Sequence, residues 1–193
     1  MSIELKHRIE MVMIKTKSGL EITIRREMRD DYSAVNKLVD KAFSTTHSGV
    51  DDTAEYLIRV RKKDTFIPDL SFVAALLDGT VIGQITLYKT DIITETGRIT
   101  QLVLSPISVL PEFFGKGIAR EMITYALAKA KEMGYTAVFL QGNPRFYEKF
   151  GFEPACNYGI YHKDDKERNA EYCMVNVLVP NVLNDITGTT YYD

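Results

Sequence analysis

The sequence predicts an α/β protein with one mixed sheet and helices on both faces. Three observations predict it. Strand-like and helix-like patterns alternate roughly as β-α-α-β-β-β-α-β-α-β-β, with no internal repeat and no low-complexity segment. The stretch "SFVAALLDGTVIGQITLY" holds two strand-like runs joined by Asp78-Gly79, a pair suited to hairpin turns. "VLPEFFGKGIAREMI" leads from an apolar strand end through Gly115 and Gly117 directly into a helical pattern.

Each element follows from its local chemistry. "EITIRREM" turns Ile22 and Ile24 one way and Thr23 and Arg25 the other, the period of a half-buried strand, with Gly19 marking the turn before it. "DDYSAVNKLVDKAF" spaces Tyr32, Val35, Leu38, Val39, Ala42 and Phe43 as one helix face, with Asp30 and Asp31 at the end that favours negative charge. "STTHSGVDD" has no period and reads as a loop; "TAEYLIRVRKK" resumes helical spacing through Ala54, Leu57, Ile58 and Arg61. After the hairpin, "RITQLVLSPISVL" is a third long strand, with a bulge or splay expected at Ser105-Pro106 because proline cannot donate to a sheet ladder. The helix after the glycines carries Ile118, Met122, Ile123, Ala126, Leu127, Ala130 and Met133 on one stripe and stops at Gly134. "TAVFLQG" reads as a short buried strand, "NPRFYEKFGF" as a short helix opened by Pro144, and "YGIYH" and "YCMVNVLV" as two late strands.

Composition narrows the function classes. A chain of 193 residues suits one domain, taken as residues 1–193 with 1–20 as an N-terminal extension. Hydrophobic residues at 45% and a formal charge of -2 give no general attraction to nucleic acid or anionic membrane, so neither is expected as a partner. The longest apolar run, Phe72 to Leu77, is too short to span a bilayer, and "MSIELKHRIEMV" lacks the apolar core of a signal peptide. A cytoplasmic location is expected. Cys156 and Cys173 read as reduced, buried thiols, and no metal is expected.

The glycine junction is the most chemically suggestive segment. It lacks the Ser or Thr of GxxxxGK[ST], so it is not a nucleoside-triphosphate loop. A glycine-rich turn feeding a helix start still aims free backbone N–H groups at one point, which suits a phosphate. Val109 to Ala119 resembles the pyrophosphate loop of the GNAT N-acetyltransferase superfamily, patterned Q/R-x-x-G-x-G/A after a Val-x-Pro strand end. Gly117 and Ala119 occupy its small positions, while Phe114 stands at the Gln or Arg position. "IRREMRDDYSAVNKLVDKAF", "FVAALLDGTVIGQITL" and "NPRFYEKFGFEPA" follow the family's order, and the wording is most like its YhbS-like branch.

The resemblance implies a mostly antiparallel central sheet, splayed between its two middle parallel strands, here "ISV" and "TAVFLQG". It implies acetyl-CoA as acyl donor in that gap. Main-chain groups of Ile107 and Val109 would pair with the pantetheine amides, and Phe114, Gly115, Lys116, Gly117, Ile118 and Ala119 would wrap the pyrophosphate. Asn143 would bond the pantetheine arm. Tyr147 would protonate the departing CoA thiolate, since a phenol with a reference pKa of about 10 is a sensible proton donor there. The acceptor would be a primary amine, on a small molecule or a peptide, attacking directly in a ternary complex. The general base stays open: "TQLVLSP" offers Gln101 and Ser105 but no carboxylate, leaving water, His47 or Asp51. A non-catalytic acyl-CoA-binding module of the same fold is the alternative reading, and a homodimer is left open.

Overall fold

A computed structural model describes residues 11–44, 53–164 and 170–192. The chain opens with β1 (Met11–Lys15) and β2 (Glu21–Arg26), paired antiparallel from Met11↔Arg25 to Lys15↔Glu21. β1 has no counterpart among the expected elements. Met11, Val12 and Met13 face solvent, Met13 being 65% exposed, and Ile14 alone packs against the core, so no inward period marks it.

Two helices follow on one face of the sheet. α1 (Tyr32–Ser44) and α2 (Thr53–Val60) pack Val35, Leu38, Val39, Ala54 and Leu57 against Val73. The start of α1 is fixed by Asp31, which accepts from the Met28 N–H at 2.8 Å and takes Arg25 in a fork at 2.6 and 2.8 Å. Burial alone would raise the Asp31 carboxyl, but the Arg25 guanidinium and the Met28 N–H outweigh it and hold it below the usual range. Arg61, expected on the apolar stripe of α2, instead stands just beyond the helix in a buried ion pair with Glu27.

β3 (Phe66–Ala75), β4 (Val81–Ile93) and β5 (Arg98–Val109) form the antiparallel centre. The expected hairpin is present, with a wider turn than a two-residue one. The Gly79 N–H donates to the Leu76 carbonyl at 2.9 Å, and Gly79 takes the left-handed φ of 90° that glycine alone adopts cheaply. The irregularity expected at Ser105-Pro106 appears as a register shift: Ile85 pairs with Ile107 but Leu87 with Leu104, so the two residues 105 and 106 face Thr86 alone.

α3 (Ile118–Glu132) lies on the opposite face, burying Ile118, Met122, Ile123, Ala126 and Ala130 as the stripe requires. Fully burying one such Ile or Met side chain is worth about 1.5–3 kcal/mol. Met133 falls past the last helical turn and is 45% exposed. Gly83 sets how near α3 comes to the sheet. A Cβ there would lie 2.8 Å from Met122 Sδ and 3.3 Å from Ile118 Cγ2.

β6 (Ala137–Gln141), α4 (Pro144–Tyr147), β7 (Glu153–Pro154), β8 (Ile160–His162), β9 (Cys173–Val177) and β10 (Gly188–Thr190) complete the chain. The sheet runs β1-β2-β3-β4-β5-β6-β9-β7, with β10 against β4 and β8. β5 and β6, in the middle of this order, are parallel and pair only at Leu102↔Val138 and Val103↔Phe139. Beyond those pairs the two strands part. Cys173 is buried, whereas Cys156 is only half-buried, because it sits in the 3-10 turn after β7 rather than in a strand. Among the described residues no helix is long and apolar enough to cross a membrane.

Candidate functional site

The parting of β5 and β6 opens onto a cleft of about 610 Å³. Its lining includes Ile107, Ser108 and Val109 from β5, the loop from Phe113 into α3, Tyr147 with its aromatic neighbours, and Ala42 and Phe43 from α1. Lys41 of α1 forms an ion pair with Glu112, tying the helix end to the start of the loop. From behind, the β1–β2 turn braces the same loop: Ser18 Oγ donates to the Lys116 carbonyl at 3.0 Å.

Gly117 is the N-cap of α3 at φ 87°. A Cβ there would meet only Thr16 and Lys17 at 3.7 and 3.8 Å, so backbone conformation, not crowding, explains the glycine. The tight packing of helix on sheet is instead achieved by Gly83. Among the described residues no hydrogen bond engages the N–H of Gly115, Gly117, Ile118, Ala119 or Arg120. These donors gather at the positive end of a 15-residue helix. Arg120 and Lys149 are the charged members of the described lining, and both are cationic.

Of the residues singled out from sequence, Ile107, Val109, Phe114, Gly115, Gly117, Ile118, Ala119 and Tyr147 line the cleft together. Phe114 is 51% exposed there, an aromatic face offered to whatever occupies the cleft mouth. Lys116 and Asn143 are not in the lining. The Asn143 side chain caps α4, its Oδ1 accepting from the Arg145 N–H at 3.0 Å. Gln101 is not free to act as a base: its Oε1 accepts from the Ala137 N–H at 3.0 Å and its Nε2 donates to Thr136 Oγ1 at 2.8 Å. It bridges β5 to the start of β6. His47 and Asp51 lie outside the described residues.

Tyr147 is partly buried, edge-on to Phe146 at 4.8 Å and to Phe152 at 5.8 Å between ring centres. Gly142 makes room for it, because a Cβ at position 142 would lie 2.3 Å from Tyr147 Cε2. Desolvation pushes the phenol up to about 12. Its hydroxyl makes no hydrogen bond among the described residues. Phe152 belongs to the core, while Phe146 is exposed with the Lys149 ammonium 4.3 Å from its ring centre.

Sequence reasoning missed Gly83, Gly142, Arg120, Lys149, and a buried polar row. The two glycines carry the faint signal that a glycine inside or just after a strand marks a close approach. The polar row is Gln84 and Ser108, cross-strand partners between β4 and β5. Gln84 Oε1 and Ser108 Oγ are both buried without a hydrogen-bond partner. Each such atom costs about 1–3 kcal/mol if nothing else satisfies it.

An open, mostly antiparallel sheet that parts between two parallel strands, with a glycine loop and helix N-terminus at the opening, defines an acyl-CoA N-acyltransferase fold. The family model "Acetyltransferase (GNAT) family" matches residues 32–152, more than half of the chain, and the chain belongs to that family of acetyl-CoA-dependent acetyltransferases. Within it, the chain is 29% identical over 170 residues to "Uncharacterized N-acetyltransferase YhbS" of Escherichia coli K12, covering 88% of this chain and 95% of that one. It is 25% identical over 126 residues to YjhQ of the same organism, covering 65% and 66%. The crystal structure of Escherichia coli YhbS in complex with CoA superposes with a TM-score of 0.79 at 26% identity, over 90% of this chain and 91% of that one. A Brucella melitensis GNAT acetyltransferase in complex with acetyl-CoA matches in fold, with a TM-score of 0.71 at 24% identity, over 89% and 96%.

Proposed function

We propose that the cleft between β5 and β6 binds acetyl-CoA, and that the enzyme transfers its acetyl group to a primary amine by direct attack in a ternary complex. The observation that carries this reading is the set of unengaged N–H donors at Gly115 and from Gly117 to Arg120 at the start of α3, beside a strand edge left open at Ile107 to Val109. An extended pantetheine offers amides to such an edge, and a pyrophosphate offers oxygens to such donors. Ile107 and Val109 take the pantetheine by their main chains; Phe114, Gly115, Gly117, Ile118 and Ala119 take the pyrophosphate. Arg120 and Lys149 add positive charge. Lys116 contributes long-range charge from outside the lining, and Asn143 acts through its capping of α4 and so through the placing of Tyr147.

Tyr147 is the proton donor to departing CoA in this reading. Burial opposes the phenolate, so the hydroxyl is protonated at neutral pH. The same dry surroundings raise the basicity of a departing thiolate, which narrows the gap a phenol pushed up to about 12 would otherwise open. A backbone N–H at Val109 polarises the thioester carbonyl. The amine loses its proton to water or to the segment containing His47 and Asp51. The chain acts as one acetyltransferase domain, and the acceptor is an amine on a small molecule or peptide. The test is release of free thiol from acetyl-CoA across a panel of primary amines, with mass detection of the acetylated product. No turnover with any amine, together with retained CoA binding, would favour a non-catalytic acyl-CoA module.

A further inference from the structure

The structure holds a directional hydrogen-bonded row that ends at Gln84, across from Ser108 in the cleft lining. Glu27 and Arg61 form a buried ion pair at 2.5 Å, with Arg61 also bonded to Asn36 at 2.8 Å. Beside Arg61 the Glu27 carboxylate only accepts, and Ser71 Oγ donates to it at 2.9 Å. Ser71 has no second hydrogen, so in the 2.9 Å contact between the Ser71 and Thr86 hydroxyls Thr86 is the donor. Thr86 must then accept from Gln84, which it does from Nε2 at 2.6 Å. The order of donors therefore fixes the Gln84 amide, and its remaining polar atom, Oε1, is an acceptor with no partner.

Ser108 stands opposite Gln84 on the neighbouring strand, 4% exposed, in the lining of the cleft, with its own oxygen unpartnered. Directly opposed residues of an antiparallel pair have Cβ atoms about 4.5–5.5 Å apart, within reach of a side-chain rotation. We propose that Ser108 positions the acceptor's amino group by accepting its N–H, while Gln84 takes the hydrogen of Ser108. A neutral amine attacks through its lone pair, so a hydroxyl that donated to that lone pair would block the reaction. In this scheme a side-chain rotation of Ser108, whose oxygen is buried and unpartnered, brings its hydrogen to Gln84 Oε1 and turns its lone pairs to the amine. The amine is then held by N–H, with its lone pair free for the thioester carbonyl. Ser108 is a binding residue in this scheme and Gln84 a positioning residue; no proton changes owner through either.

The proposal rests on the acetyl-CoA reading above, and its test requires no identified acceptor. Two CoA conjugates that mimic the joined substrates are compared by calorimetry: S-carboxymethyl-CoA N-methylamide, and the corresponding methyl ester, in which oxygen replaces the N–H. Wild-type protein is expected to bind the amide about fivefold or more tighter than the ester, each referred to free CoA. In Ser108→Ala that preference falls to within about twofold of unity, and in Gln84→Met it shrinks while melting curves report whether the variant is folded. A merely structural serine would change the melting temperature and leave the amide preference intact. An equal affinity of wild type for the two conjugates, or an undiminished preference in Ser108→Ala, overturns the proposal. Failure of wild type to bind free CoA at all would be seen separately, and would remove the cofactor reading and this proposal with it.

Discussion

Tyr147 shows how a single side chain acquires a chemical state from its neighbours. Its ring lies on the bare backbone of Gly142 and edge-on to Phe146 and Phe152, and the lost hydration raises its phenol from 10.0 to about 12. A raised folded value means that neutral Tyr147 contributes stability fully below about pH 10, which is lost as pH rises towards 12. The difference in phenolate absorbance between wild type and Tyr147→Phe is therefore expected to develop well above the pH at which exposed tyrosines ionise, and a difference centred near pH 10 would place the ring in water. If Tyr147 donates the proton, Tyr147→Phe lowers the single-turnover rate about 10²–10⁴-fold, with little change in melting temperature. A wild-type rate would return Tyr147 to the aromatic cluster. Gly142→Ala makes the complementary test, since the new methyl occupies the seat of the ring. Overpacking of this kind costs about 1–3 kcal/mol, and we expect single-turnover rates to fall towards those of Tyr147→Phe in a protein that still folds. Unchanged kinetics in Gly142→Ala would show that the position of the ring is not decisive.

Among the elements, β5 carries most of the site. Its lower half pairs with β6, its upper half faces the cleft, and Gln101 locks the two strands just below the parting. The role of Gln101 is structural because both ends of its amide are committed, one of them to the backbone N–H of Ala137. Gln101→Leu removes both partners and leaves the Ala137 N–H buried, at a cost of about 1–3 kcal/mol. At about 2–4 °C per kcal/mol for a chain of this size, a drop of several degrees in melting temperature is expected. The pH profile of the reaction should keep its shape, whereas loss of its acidic limb would make Gln101 part of the proton path after all. The order of strands and helices was legible because each is written in a local period: Ile22 and Ile24 alternate, and Ile118, Met122 and Ala126 recur at helical spacing. β1 escaped because Met11 and Met13 point outward, and a strand with an apolar outer face has no readable inside. The turn at Asp78-Gly79 was found but not its length, which depends on the register of β3 against β4.

At the scale of the whole molecule, the cleft is an assembly of distant parts: α1, the end of β5, the start of α3 and the segment after β6. A ligand that binds only this assembled form stabilises it by about 2.7 kcal/mol at 100 times its dissociation constant. Acetyl-CoA at that excess is therefore expected to raise the melting temperature by roughly 5–11 °C, at 2–4 °C per kcal/mol. No shift, together with no heat of binding, would exclude the cleft as an acyl-CoA site.

The sequence by itself determined the family and the place of the glycine loop. Local turn chemistry and periodicity survive in a one-dimensional text, and "VLPEFFGKGIA" joins them in a single segment. Only the tertiary structure decided why Gly142 and Gly83 must be glycines, that Asn143 caps a helix, that Gln101 ties two strands, and that Glu27 anchors a polar row ending at Gln84, across from Ser108. The Asn143 cap and the Gly142 seat are local contacts that show only once the chain around α4 is folded, while the others join residues far apart in the chain, as Ser71 and Glu27 are, 44 positions from one another. Such pairs are set by strand register and helix packing, which no local pattern specifies, because a shift of one residue turns every side chain of a strand to the other face.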